Sequence, residues 1–75
     1  MQRRLRLTAI IQPEEDGFVS LCPELDIASQ GASFEEARAN LVEALTLFFE
    51  TAEPAEVSRR YHGELIVTQV EVPVG

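Results

Sequence analysis

Apolar and polar residues alternate at the start of the chain, in residues 4–12 (RLRLTAIIQ). A period of two is typical of a strand with one buried face. This pattern therefore predicts a first strand whose buried side will lie under a helix. The residues on that side are Leu5, Leu7, Ala9 and Ile11.

Turn signals follow the first strand. Residues 13–17 (PEEDG) are predicted to form a hairpin turn, because proline ends a ladder and Asp16 with Gly17 can adopt positive φ angles. Residues 18–22 (FVSLC) are predicted to return as a second, antiparallel strand. Residues 27–30 are predicted to form a short third strand, which completes a meander.

A helix is predicted for residues 34–52. Ser33 and Glu36 fit a capping box at its start, where both side chains can satisfy free backbone N–H groups. Pro54 is predicted to end the helix, and residues 55–63 to form a polar connection. Apolar side chains recur at helical spacing at Phe34, Ala37, Leu41, Ala44, Leu45, Phe48 and Ala52.

Residues 64–72 (ELIVTQVEV) are predicted to form the last strand. Apolar side chains point both ways along it, which is typical of a strand covered on both sides. One face carries Ile66, Val70 and Val72, and the other carries Leu65 and Val67.

The predicted fold class is α+β, with element order βββαβ in a single domain spanning residues 1–75. The helix is long enough to return the last strand parallel to the first, which gives a four-stranded mixed sheet with one helix on one face. One helix leaves the other face open, so we expect a homodimer or homotetramer. Its expected interface includes Ile66, Val70 and Val72, because leaving several aliphatic side chains exposed to solvent is unfavourable in a small domain.

The net charge of −7 changes what partners can be expected. Phosphate backbones repel such a surface, so direct nucleic-acid binding is not expected, and a basic protein partner fits better. Arg3, Arg4 and Arg6 could form a small anion-binding patch, although a solvated strand face explains them more simply. No signal peptide or membrane span is recognisable, so we expect a cytoplasmic protein.

Cys22 and His62 are the single cysteine and the single histidine of the chain. They allow no intrachain disulfide and cannot supply the four ligands of a structural zinc site. We expect no metal and no cofactor. Cys22 is predicted to be a small core residue and His62 a solvated loop residue.

Residues 22–50 resemble the HicB antitoxin family. The resemblance rests on a Pro–acidic–Leu segment at residues 23–25, a polar–Gly step at residues 30–31, and the helix start Ser-Phe-Glu-Glu-Ala at residues 33–37. The hairpin before them (EEDGFVSLCPEL) also matches, and the similarity covers about residues 5 to 72.

The resemblance implies a partial ribonuclease H fold of order βββαβ, and binding to a small basic RNA-cleaving toxin, HicA, whose active site is blocked. Many members add a DNA-binding domain, whereas only three residues follow Val72 here. This chain looks like the short, stand-alone form of the family. The alternative is a small homo-oligomeric structural or regulatory protein with no toxin partner.

Catalysis is not expected despite the resemblance to ribonuclease H. Two-metal chemistry needs carboxylates clustered at the centre of the sheet. The first strand has no acid, and Glu64 and Glu71 lie at the ends of the last strand. We therefore predict a non-enzymatic protein with no catalytic residues. Its candidate partner-binding residues are Glu24, Asp26, Glu43 and Glu50.

Overall fold

The structure is a computed structural model that describes residues 4–75. Within them, a three-stranded antiparallel sheet is followed by two helices, which confirms the α+β class. The elements in chain order are β1 (Ile10–Glu14), β2 (Gly17–Cys22), β3 (Ile27–Gly31), α1 (Phe34–Thr51) and α2 (Pro54–Arg60).

The sheet has the predicted meander order β1-β2-β3, but the first strand covers Ile10–Glu14 rather than the predicted residues 4–12. Ser20 in the central strand pairs with Ile11 of β1 and Ser29 of β3, so these three side chains share a face. The Ser20 hydroxyl donates a hydrogen bond to the carbonyl oxygen of Ala37 in α1, at 2.9 Å. This face is therefore the one that α1 covers, and Ile11 lies on it as predicted.

The opposite face carries an apolar row across the three strands. Ile10 pairs with Leu21, and Leu21 pairs with Ala28, so their side chains lie side by side. Leu21 is half-buried, whereas Ile10 and Ala28 are exposed. Neither helix supplies a layer over this row, because α1 lies on the Ser20 face and α2 barely touches the strands.

The turn between β1 and β2 differs from the prediction. Pro13 lies inside β1, opposite Phe18, and the turn residues are Glu15 and Asp16. An edge strand tolerates proline where its missing N–H would face outward. The predicted positive φ at Asp16 or Gly17 is wrong, since within residues 4–75 Asp26 alone has a positive φ, of 57°.

Helix α1 begins as the capping-box pattern predicts. The Ser33 hydroxyl accepts a hydrogen bond from the Glu36 N–H at 3.1 Å. The Glu36 carboxylate accepts one from the Ala32 N–H at 2.8 Å, one residue before the N-cap. Gly31 is required just before, because a Cβ at this position would lie 2.4 Å from the backbone nitrogen of Ala37. The glycine lets the helix cross closely over the end of β3.

Helix α2 occupies most of the segment that was predicted to be a polar connection. Pro54 begins this helix, which agrees with the preference of proline for the first helical turn. Glu56 lies in its first turn, and Arg59 and Arg60 lie in its last, each favourable with respect to the helix dipole. The prediction took Pro54 only as a stop and missed that the same residue starts a new helix.

The expected fourth strand is not confirmed. Residues 61–75 form no helix or strand in the structure, and all of them are exposed. The described sheet is consequently antiparallel rather than mixed, and a partial ribonuclease H fold is not confirmed. The sequence of residues 64–72 favours a strand, but a strand also needs a neighbour to supply its backbone hydrogen bonds, and this segment pairs with no strand of the described chain.

A small core lies between the sheet and α1. Leu7 packs against this core, which confirms its predicted place under the helix, whereas Leu5 is 52% exposed. Helix α1 lies mainly over β3 and β2 and touches β1 only at its margin. The buried apolar residues are Cys22, Leu25, Ala37 and Leu41, and those packed around them are Leu7, Ile27, Leu45 and Phe48.

Candidate protein-binding surfaces

An open groove with acidic walls, here called the acidic groove, lies at the hairpin end of the sheet. Its volume is about 920 Å³. The β1–β2 turn and the start of α1 bring its carboxylates together from two parts of the chain. The acidic residues are Glu14, Glu15, Asp16 and Glu36, and the floor includes Phe18, Val19, Gln30 and Asn40.

Close backbone packing builds the acidic groove. A Cβ at Gly17 would lie 2.5 Å from the carbonyl oxygen of Gly31, so the two strand ends approach more closely than side chains would permit. Asn40 donates a hydrogen bond from Nδ2 to the carbonyl oxygen of Gln30, at 2.7 Å. These contacts fix the first two turns of α1 against β3 and set the position of Glu36 relative to the hairpin.

Glu24 is a buried carboxylate at the opposite end of the sheet, in the β2–β3 turn. It is 8% exposed. The Thr8 N–H donates to both of its oxygens, at 3.0 and 2.9 Å, and the Thr8 hydroxyl donates to Oε2 at 2.7 Å. The Cys22 thiol lies 3.5 Å from Oε1. Glu24 thereby fastens the residues before β1 to the turn between β2 and β3.

These contacts set the ionisation of both groups. Burial opposes the charged form of Glu24, but the hydrogen bonds from Thr8 outweigh burial and lower the pKa of its carboxyl below the ordinary value of 4.5. Burial, aided by the nearby Glu24 carboxylate, raises the pKa of the Cys22 thiol above 9.0. Cys22 is completely buried, which confirms its predicted core role.

The same turn also holds the end of α2. Arg60 donates from Nη2 to the carbonyl oxygens of Leu25 and Asp26, at 3.0 and 3.3 Å. Its guanidinium carbon lies 5.4 Å from the centre of the Phe48 ring. The His62 N–H donates to the carbonyl oxygen of Glu24 at 2.6 Å. The β2–β3 turn therefore anchors both the residues before β1 and the end of α2.

The structure separates the four predicted partner-binding residues. Glu24 is buried and bound to Thr8, whereas Asp26, Glu43 and Glu50 are exposed. Asp26 lies in the β2–β3 turn, and the other two lie on α1. None of these four residues lines the acidic groove, which sequence reasoning missed. The available signal was the pair of acidic runs, PEED and SFEE, at the two junctions that the meander places at one end.

The predicted oligomer-interface residues Ile66, Val70 and Val72 are 87%, 81% and 71% exposed. Of the arginines near the N-terminus, Arg4 and Arg6 are exposed, and Arg3 lies outside the described residues. Among residues 4–75, no three His, Cys, Asp or Glu side chains are grouped as metal ligands. Neither helix is long and apolar enough to cross a membrane.

Comparison with known proteins finds a relative that aligns along nearly the whole chain. The chain is 30% identical over 67 residues to a UPF0150 protein of Helicobacter pylori strain J99. The aligned region covers 88% of this chain and 93% of that protein. No family model matches the chain. No solved structure matches it either. The similarity to the Helicobacter protein extends along nearly the whole of both sequences, and the chain therefore belongs to the UPF0150 family.

Proposed function

We propose that this chain is a non-enzymatic protein-binding module of the HicB type, which neutralises a small basic RNA-cleaving toxin of the HicA type by covering its active site. The HicB-like motifs at residues 23–25, 30–31 and 33–37 support this proposal. Membership of the UPF0150 family along most of the chain is compatible with it. The observation that carries the proposal is the acidic groove.

The acidic groove suits a basic protein partner. Its four carboxylates are exposed and belong to a chain of net charge −7. An RNA-cleaving toxin needs positive side chains around its site to hold phosphate groups. Those side chains would find complementary charges in the groove, and complementary charge speeds association and selects the partner. Occlusion of this kind assigns no chemical step to the chain itself.

The sequence-derived candidates are the competing contact sites for the same partner. Glu43 and Glu50 are exposed and seven residues apart on α1, which corresponds to about 10 Å along the helix axis. Asp26 is exposed in the β2–β3 turn. Glu24 is not offered to a partner in the same way, because its carboxylate is occupied by Thr8. We therefore rank the acidic groove above the α1 carboxylates.

The test is inhibition of RNA cleavage by a purified HicA-type toxin, titrated with this chain. We expect the wild-type chain to inhibit the toxin stoichiometrically, and to inhibit it less as salt is raised, since salt screens exposed charges. The double variant Glu15→Lys/Asp16→Lys is expected to bind at least about 10-fold more weakly, a change of roughly 1.4 kcal/mol. Glu43→Lys/Glu50→Lys is the matched control, with the same change in charge.

Two results would contradict this proposal. Equal or greater loss of binding in Glu43→Lys/Glu50→Lys would move the contact to α1 and remove the acidic groove from it. Failure of the wild-type chain to inhibit HicA-type toxins would favour the alternative, a small homo-oligomeric structural or regulatory protein. The exposed apolar residues Ile66, Val70 and Val72 are the observation that favours this alternative.

A further inference from the structure

The chain exposes more surface than a folded protein of its size should. Its accessible surface is 6584 Å². A folded monomer of 8.3 kDa is expected to expose about 4,600 Å², so the excess is about 2,000 Å². Its radius of gyration is 14.7 Å, against about 11 Å expected for 75 residues. A standard protein interface buries about 800 Å² on each partner and an obligate homodimer interface about 1,000–2,500 Å², so an excess of about 2,000 Å² per chain is of the size that an obligate dimer interface buries.

Residues 64–72, here called the C-terminal segment, contribute to this excess, because every one of them is exposed. It is rich in the β-branched and aliphatic residues that favour strands, yet it belongs to no strand. Its apolar side chains are largely in solvent, including Ile66 and Val70. A contiguous apolar stretch of this kind marks an interaction site.

The sheet offers this segment a free edge at β1. Proline has no N–H, so Pro13 and Phe18 form a pair without backbone hydrogen bonds. Such pairs alternate with hydrogen-bonded pairs along an antiparallel ladder. Ile11 and Ser20, two residues further along the ladder, therefore also form a pair without backbone hydrogen bonds between them. The N–H and C=O groups of Ile11 consequently face the free edge, where an added strand can bond to them.

An apolar groove lies beside this edge, between residues 4–9 and the side of α1. We call it the edge groove. Its volume is about 750 Å³. Helix α1 overhangs β1 only marginally, so Val42 and Phe49 on this side of the helix stay exposed. The apolar lining residues are Leu5, Leu7, Leu41, Val42, Leu45 and Phe49.

The C-terminal segment matches the free edge in length and pattern. Nine residues in extended form span about 30 Å, the same as residues 4–12 along and before β1. Alternate side chains of an added strand would point to opposite faces. One set could fill the edge groove under α1, and the other could extend the apolar row of Ile10, Leu21 and Ala28 on the open face.

We propose that the C-terminal segment of one copy adds as a strand to the β1 edge of a second copy, and that the exchange is reciprocal, which gives a dimer with twofold symmetry. The second copy is the occupant because the chain carries both the unpaired segment and the free β1 edge, and because its own segment is exposed and pairs with none of its own strands. His62 is fixed at the Glu24 carbonyl, so the segment starts from an anchored point. Exchange of one element between identical chains is a low-cost route to a dimer. This proposal does not depend on the toxin-binding function.

The first test is sedimentation equilibrium of the full chain at micromolar concentration. We expect a dimer for the wild type and a monomer for Ile66→Asp/Val70→Asp, whose dimer dissociation constant should be at least about 100-fold higher. Val74→Asp is the matched control, since Val74 is 90% exposed and lies beyond the C-terminal segment. It should remain dimeric. A monomeric wild type, or a dimer that Ile66→Asp/Val70→Asp leaves intact, would overturn the proposal.

A second test does not depend on the folding of the aspartate variants. Chains carrying Ala9→Cys are mixed with chains carrying Thr68→Cys, both exposed positions, and treated with a short bismaleimide. Cys22 is buried and should not react. We expect mixed cross-linked dimers, and far fewer when Ser58→Cys on α2 replaces Thr68→Cys. Cross-linking only within a chain that carries both Ala9→Cys and Thr68→Cys would show that the segment joins its own sheet, and would refute the exchange.

Discussion

Residues 4–9 and residues 64–72 resemble each other in sequence but not in their contacts. Both lie outside the regular strands and carry several apolar side chains. In the first segment Leu7 reaches the core and Thr8 is half-buried. In the second, every residue is exposed. Apolar pattern alone therefore does not decide whether such a segment packs against its own chain.

The difference lies in a single polar anchor. Thr8 supplies two donors to the buried carboxylate of Glu24, and this fixes Leu7 where α1 can cover it. Hydrogen bonds to a charged group contribute about 1.5–3 kcal/mol each, which offsets part of the entropy that is lost when these residues are ordered. Residues 64–72 make no comparable bond, since the one described side-chain bond there joins Thr68 to its neighbour Gln69 at 3.5 Å. Without an anchor of their own, they stay available to another molecule.

The largest effect is expected from truncating Leu41, a side chain of α1 in the core against which residues 4–9 pack. Leu41 is 1% exposed and belongs both to the core and to the edge groove. Leu41→Ala should lower the free energy of unfolding by about 2–5 kcal/mol, measured by urea denaturation. Leu47→Ala, on the same helix but exposed, is the control and should change it by less than about 0.5 kcal/mol. Equal losses in the two variants would show that the core described here does not hold the fold.

The second prediction removes the charge of the anchor. Glu24→Gln keeps the size of the side chain but replaces one oxygen acceptor with a donor that faces Thr8 or Cys22. We expect a loss of about 1.5–3 kcal/mol in the free energy of unfolding, because charge-assisted bonds in a buried site are replaced by weaker ones. Hydrogen exchange should also show faster exchange at the Thr8 amide. Glu14→Gln, an exposed carboxylate, is the matched control, and an equal effect there would contradict the role of Glu24.

A third prediction uses pH to titrate the same anchor. The pKa of Glu24 is lowered in the folded chain. Its ionised carboxylate therefore makes its full contribution to the free energy of unfolding above pH 4.5, the ordinary pKa. It should be lost as the pH falls from there through the lowered pKa. We therefore expect the stability difference between wild type and Glu24→Gln to be constant from pH 6 to 7 and to shrink as the pH falls below 4.5. A difference that grows on acidification would reverse the assigned pKa shift.

Local patterns of the sequence were sufficient to predict the meander and α1. Ser33 with Glu36, and Gly31 before them, act within a few residues of one another, so their pattern shows in the sequence directly. Residues 18–22, between the turn residues and Pro23, likewise show their strand in the sequence directly. These predictions needed no knowledge of distant contacts.

The remaining features depend on contacts that the sequence pattern does not contain. Glu24 looked like a free surface acid, because its partner Thr8 is 16 residues away in the chain. Arg60 reaches the β2–β3 turn across more than 30 residues. The acidic groove arises from two runs joined only by the fold. Residues 64–72 carry a strand pattern that no neighbour within the described chain satisfies, so the pattern predicts a propensity and not a position.

The smallest effect is expected from a variant that separates the contribution of the Thr8 hydroxyl from that of the Thr8 backbone N–H. Thr8→Val keeps the shape of the side chain and both bonds from the N–H to Glu24, and removes only the 2.7 Å bond from the hydroxyl. We expect a loss of about 1 kcal/mol in the free energy of unfolding. Thr51→Val is the control, because that hydroxyl also donates one hydrogen bond, to the carbonyl oxygen of Leu47 at 2.9 Å, but lies exposed on α1. If Thr8→Val is neutral while Glu24→Gln is not, the backbone N–H alone anchors residues 4–9, and any residue with a free N–H would serve there. The residue type that distinguishes the two segments would then be Glu24 and not Thr8.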